Sequence, residues 1–184
     1  MPYSPHNDFP ADIRARAEAV RLAAFDVDGT LTDGRIVLDA AGNESKSFHV
    51  ADGLGLKLLG EFGIGVAFVT ARSGSVVPAR ARELGVRHVF TGVPDKLACL
   101  DELAAKVGIS RAQIAFMGDD LPDLRVLAAV GFAIAPADAH PWVRERVHWR
   151  TRLPGGHGAA RELCDLVLGA QGHADAVLKR YAAP

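Results

Sequence analysis

The side chains able to do chemistry gather at the ends of apolar runs. Asp26-Val27-Asp28-Gly29-Thr30 closes the run 20–27, and Thr70-Ala71-Arg72 follows the run 64–69. Gly118-Asp119-Asp120 follows the run 113–117, with Asp123 three residues further on, and Lys96 opens the helical pattern before that run. Clustered carboxylates repel one another at neutral pH unless a cation sits among them. An all-oxygen site with few protein ligands suits Mg²⁺, which keeps several waters and takes a phosphate oxygen from its substrate. With a metal in place, Asp26 is a candidate nucleophile on phosphorus, forming an aspartyl phosphate. Asp28, outside regular strand, is a candidate acid for the leaving alcohol and then a base for the hydrolytic water. Gly29 lets the backbone approach a phosphate closely. The Thr70 hydroxyl and the Lys96 ammonium are candidates for the remaining phosphoryl oxygens.

Each signal has a plainer reading when taken alone. Asp-x-Asp at a strand end is compatible with a turn, Thr70 with a helix cap, Asp123 with favourable charge in a first helical turn, and Lys96 with a solvated surface. Their recurrence at several strand ends points to one shared site. Further candidates for substrate contact are Gly29, Thr30, Thr32, Lys46, His49, Ala71, Arg72, Arg80 and Arg161. For the arginines the competing reading is a surface role. The seven histidines show no zinc spacing, and His49 and His157 are the two placed near a substrate, against a structural or exposed role.

The elements that must position these groups follow from the hydrophobic pattern. At 184 residues and 49% apolar content the chain fits one α/β domain with a full core. Short continuous apolar runs suit strands buried on both faces, here 20–27, 64–69 and 113–117, with shorter candidates at 89–90 and 131–135. Helical patterns alternate with them: Leu54, Leu58, Leu59 and Phe62 share one face, as do Leu97, Leu100, Leu103 and Val107, and 76–84 and 121–129 also read as helices. That alternation predicts a doubly wound parallel sheet, in which ligands collect at the carboxyl ends of the strands. The segment 35–50 breaks the rhythm and predicts an inserted β-hairpin, strands at 36–38 and 46–50, turning at Gly42-Asn43. The expected divisions are a tail (1–9) and short helix within 1–19, the main domain over 20–172, and a C-terminal helix and tail over 173–184.

A formal net charge of −1 gives no field favouring nucleic acid or anionic membrane. The longest apolar stretches are too short to span a bilayer. Residues 1–12 lack the basic start and apolar run of a signal peptide. Cys99 and Cys164 fall in helical patterns and read as reduced core thiols. These features predict a cytoplasmic protein.

Asp26-Val-Asp-Gly-Thr, Thr70, Lys96 and Gly118-Asp119-Asp120-x-x-Asp123 resemble the four ordered motifs of the haloacid dehalogenase superfamily. The resemblance implies Asp26 as nucleophile and Asp28 as general acid/base. It also implies Mg²⁺ held by the Asp26 carboxylate, the Asp28 carbonyl and Asp119, with Asp120 and Asp123 as outer-shell or partial ligands. Thr32-Asp33-Gly34, the hairpin, Phe48-His-Val-Ala-Asp52-Gly-x-Gly55 and Gly155-Gly-His-Gly158-Ala-Ala-Arg161-Glu162 are similar to one capless branch, the 3-deoxy-D-manno-octulosonate 8-phosphate phosphatases. The branch implies a homotetramer with hairpins around its centre, and a small sugar-acid phosphate as substrate. It usually carries arginine where Ala51 stands, so a nine-carbon keto-sugar acid phosphate or a looser specificity stays open beside the eight-carbon acid.

Three other classes compete. A phospho-accepting signalling domain also combines aspartates, a threonine and a lysine, but its acceptor usually ends a middle strand, whereas Asp26 ends the first strong one. A non-catalytic scaffold would not need every candidate catalytic residue. A phosphomutase shields its phosphoenzyme from water, usually with a cap, and no segment between the motifs is long enough for one.

Overall fold

The computed structural model describes residues 9–182. Eight strands run in chain order: β1 Leu22–Phe25, β2 Val37–Leu38, β3 Glu44–Ser45, β4 Gly65–Val69, β5 His88–Phe90, β6 Ile114–Met117, β7 Phe132–Ala135 and β8 Trp149–Arg150. The α-helices are α1 Ala11–Ala19, α2 Val50–Glu61, α3 Val76–Leu84, α4 Lys96–Val107, α5 Leu124–Leu127, α6 Pro141–Arg144, α7 Ala159–Ala170 and α8 Ala174–Ala182. Of the tail expected over 1–9, all but Phe9 lies outside the described residues.

Six strands form one parallel sheet in the order β5-β4-β1-β6-β7-β8, while β2 and β3 pair separately as an antiparallel ribbon. The sheet is doubly wound. Ala23, Phe25, Phe68, Met117 and Ile134 face the layer of α1, α2, α3 and α7. Leu22, Ala24, Val69, Phe116 and Ala133 face the layer of α4 and α5. Burial on both faces explains why these strands read as unbroken apolar runs rather than alternating ones. The strand order reverses at β1, whose neighbours are β4 and β6, so the carboxyl ends of these three central strands frame a crevice.

Two local expectations need correction. The second arm of the hairpin is Glu44–Ser45, not 46–50. Asp39 accepts from the amides of Ala41 and Asn43, closing the turn early enough for pairing to resume at Glu44; Lys46 then turns inward and Val50 starts α2. The stretch 121–129 is not one helix. Asp120 caps a 3₁₀ turn at Leu121–Asp123, and only Leu124–Leu127 continues as α-helix, because the Asp123 side chain folds back onto the amides of Asp119 and Asp120. Trp142 is 58% exposed on α6. Among the described residues no helix is long and apolar enough to cross a membrane.

Candidate active site

Asp26 follows β1 directly, and its amide donates to the Met117 carbonyl of β6, so the neighbouring strand fixes the start of the loop. The chain then turns sharply: the amides of Thr30, Leu31 and Thr32 all donate to the Val27 carbonyl. Thr32 braces this turn, its hydroxyl accepting from Gly29 and Gly34 and donating to Val27. Gly29 has φ +88°, and a Cβ there would stand 2.1 Å from Asp119 Oδ2. No other residue allows the loop to lie so close to Asp119 without moving it. The buried Thr30 hydroxyl donates to Asp119 Oδ1 at 3.0 Å.

Lys96 is placed by its neighbour. Asp95 caps α4 by accepting from the amides of Leu97 and Ala98, which leaves Lys96 in the first turn pointing into the crevice. Its Nζ lies 2.8 Å from Asp26 Oδ1 and 2.7 Å from Asp123 Oδ1, and the side chain is only 6% exposed. Burial favours the neutral amine, but the charges of Asp26 and Asp123 outweigh it and hold the lysine above its ordinary pKa. Asp123 is 1% exposed and also accepts from the amides of Asp119 and Asp120.

Carboxylate oxygens of Asp26, Asp119 and Asp123 converge within 4.8 Å of one another. Against these three acids stands the one ammonium of Lys96. The imbalance is visible in their protonation. Burial and the Asp123 charge push Asp26 up to about 6, despite Lys96. Burial and the charges of Asp26 and Asp123 push Asp119 up to about 7. A donor set made only of oxygen, carrying excess negative charge, fits a hard divalent cation and does not fit a soft one.

A second cluster lies at the mouth. The Asp28 carboxylate sits between the Thr70 hydroxyl, 3.4 Å away, and the Lys46 ammonium, with which it makes a close ion pair. Lys46 also pairs with Glu44, and Glu44 with Arg72 at 2.7 Å. The hairpin is thereby tied to the loops after β1 and β4.

The crevice thus gathers Asp26, Asp28, Gly29, Thr30, Thr70, Lys96, Asp119 and Asp123, with Lys46 and Arg72 at its edge. Asp120 caps the following 3₁₀ turn. Ala71 is exposed in the loop after β4. Arg80 is engaged elsewhere: it pairs with Glu83 and lies over the Phe48 ring, lining a small cavity with His49 and Asp52. Arg161 turns its guanidinium to Asp165, 2.7 Å away. Sequence reasoning passed over Glu44, which bridges two cations; the Glu-x-Lys spacing on a hairpin arm was the available signal.

A haloacid dehalogenase-like hydrolase family profile matches residues 89–163. The chain is 43% identical over 169 residues to a 3-deoxy-D-manno-octulosonate 8-phosphate phosphatase from Yersinia pestis, covering 92% of this chain and 89% of that protein. It belongs to this family of haloacid dehalogenase-like hydrolases. Among solved structures, one from Xanthomonas campestris described as a hypothetical protein superposes with a TM-score of 0.96 at 56% identity, covering 100% of both chains. The Moraxella catarrhalis phosphatase, described as a complex with a magnesium ion, a phosphate ion and 3-deoxy-D-manno-octulosonate, gives 0.92 at 41% identity over 94% of this chain and 99% of that one. Family membership agrees with a capless, doubly wound sheet whose insertion after β1 is a hairpin.

The raised carboxyls make a prediction about metal and protons. Both bind protons more tightly in the folded protein than in the unfolded chain. Their contribution to stability is therefore complete below about pH 3.8 and is lost as pH rises through about 6 for Asp26 and about 7 for Asp119. A divalent cation must displace those protons. Mg²⁺ binding is expected to release protons near pH 6 and to tighten as pH rises toward about 8. Calorimetry in two buffers of different ionisation enthalpy measures this. Binding without proton release would contradict it.

Proposed function

We propose that this chain hydrolyses 3-deoxy-D-manno-octulosonate 8-phosphate to the free sugar acid and phosphate. The hydrolysis of a phosphoric monoester follows from the family. The observation that carries it is the convergence of Asp26, Asp119, Asp123 and Lys96 at the ends of adjacent central strands, in a chain 43% identical to phosphatases of that name.

The cofactor is Mg²⁺, which the Asp26 and Asp119 carboxylates and the Asp28 carbonyl would hold, with Asp120 and Asp123 as outer groups. When bound it offsets the surplus negative charge and polarises a phosphoryl oxygen. Asp26 attacks phosphorus and becomes an aspartyl phosphate. Lys96 balances the charge on the transferring group, and the Thr70 hydroxyl and the Gly29–Thr30 backbone bind its oxygens. Asp28, once protonated, hands that proton to the departing sugar oxygen; the carboxylate left behind then takes one from the water that cleaves the acyl phosphate. Among the described residues no cap covers the crevice, so water reaches that intermediate, which favours hydrolysis over transfer to a second sugar.

Ala51, where the branch usually has arginine, favours a second reading: a nine-carbon keto-sugar acid 9-phosphate, or a broader range of sugar phosphates. On either reading Lys46 and Arg72, joined through Glu44, are the cations at the mouth able to meet a substrate carboxylate. The test is Mg²⁺-dependent phosphate release across eight- and nine-carbon keto-acid phosphates, hexose phosphates and p-nitrophenyl phosphate. The eight-carbon acid is expected to lead; a preference for another sugar moves the substrate and leaves the chemistry standing. Asp26→Asn is expected to lose at least ~10³-fold in kcat while staying folded. Lys46→Ala is expected to lose more kcat/KM on keto-acid phosphates than on p-nitrophenyl phosphate, and an equal loss would remove its role in recognition.

The chain is also proposed to act in the cytoplasm as a homotetramer, in lipopolysaccharide sugar synthesis. Ile36, Val37 and Leu38 on the hairpin are 43%, 57% and 60% exposed, an apolar ribbon suited to burial against other copies. Sedimentation equilibrium is expected to give a tetramer that Val37→Glu with Leu38→Glu dissociates. A monomeric wild-type chain would overturn the assembly.

A further inference from the structure

Two glycine-containing motifs remain without a part in the chemistry: Asp52-Gly53-x-Gly55 and Gly155-Gly156-His157-Gly158. The structure joins them. Asp52, in the first turn of α2, is 2% exposed, and its partners lie 106 and 109 residues away in sequence. Its carboxylate accepts from the amide of Gly158 at 3.3 Å and from that of Arg161 at 2.7 Å. These are the N-cap and third residues of α7, a helix whose own cap has no side chain to offer. Asp52 therefore supplies from a different helix the acceptor that an N-terminus needs, and places a negative charge at the positive end of α7.

The loop leading into α7 is pinned along its length. Glu162 accepts from the amides of Arg152 at 3.0 Å and Leu153 at 2.8 Å. Asp138, in the loop after β7, accepts from the Gly155 amide at 2.9 Å. The Gly156 amide donates to the Thr30 carbonyl at 3.0 Å. A Cβ on Gly155 would fall 1.8 Å from the Gly29 carbonyl oxygen, so only glycine allows this backbone-to-backbone approach. Beneath the contact lie Gly29 and Thr30, which in turn touch Asp119. A continuous run of contacts thus connects two carboxylates outside the crevice, Asp52 and Asp138, to the turn that carries Asp26 and Asp28.

We propose that the 152–158 loop is a clamp on the catalytic turn, and that Asp52 and Asp138 are positioning residues that hold it down. The clamp fixes the Gly29–Thr30 backbone against Asp119 and so sets the spacing between nucleophile and metal ligands. Displacements of about 1 Å at a reacting centre cost on the order of a hundredfold in rate. This inference rests on the phosphatase reading, and its test separates the two.

Asp138 is exposed, so substituting it removes little packing. In Asp138→Ala, with the melting temperature unchanged, kcat is expected to fall by about tenfold or more, KM to stay within about threefold, and Mg²⁺ affinity by calorimetry to weaken by about tenfold. Asp138→Asn keeps an acceptor for the Gly155 amide and is expected to restore most of both. Gly155→Ala, which forces the Gly29 carbonyl away, is expected to lose kcat further. A folded Asp138→Ala or Gly155→Ala with wild-type kcat and Mg²⁺ affinity would overturn the clamp. A wild-type chain that binds Mg²⁺ but turns over no phosphate ester would instead overturn the phosphatase reading, and the Mg²⁺ affinities would still judge the clamp.

Discussion

Three carboxylates held within 4.8 Å of one another, against one buried lysine, are the constraint around which this molecule is arranged. Such a cluster costs free energy in the metal-free protein, as the raised protonation of Asp26 and Asp119 records. A fold can hold it only on rigid supports. Here the supports are β1 and β6, paired in register through Phe25 and Met117 and buried on both faces. The sheet reverses its winding at β1, which brings the ends of β4, β1 and β6 side by side without any long loop. The energy stored in mutual repulsion becomes affinity for a divalent cation.

Between those rigid ends, the turn after β1 is irregular backbone whose buried Thr30 and Thr32 hydroxyls both have partners. Thr32 serves the amides of Gly29 and Gly34, and Thr30 bonds Asp119. The loop before α7 covers the turn from outside. Lys46 and Glu44 tie the hairpin to the same place, at the mouth of the crevice. The hairpin therefore combines an apolar outer ribbon with a charged end at the crevice.

The strands and most helices were legible because burial on both faces leaves a mark on every residue of a run. Asp26, Thr70 and Asp119 were legible as polar groups interrupting such runs, and Lys96 through its place at a helix start. What could not be read were contacts between residues far apart in sequence that obey no period. Asp52 looked like part of a motif with no stated task, since its partners are the amides of Gly158 and Arg161. Arg80 and Arg161 carry the right charge for a substrate, but Glu83 and Asp165, one turn along the same helices, engage them. The hairpin register shifted because the Asp39 side chain closes its turn, a local bond that outweighs the apolar content of 46–50. The stretch after Asp120 broke into two because Asp123 bonds backwards to the strand end rather than outwards to solvent.

Asp26, rather than an activated water, is proposed to take the phosphoryl group. The direct measurement is rapid quenching during turnover with Mg²⁺, borohydride reduction of any acyl phosphate, and peptide mass spectrometry. Conversion of Asp26 alone to homoserine is expected, and none in Asp26→Asn. Reduction at another carboxylate, or an unmodified Asp26 in an enzyme caught releasing phosphate, would contradict it.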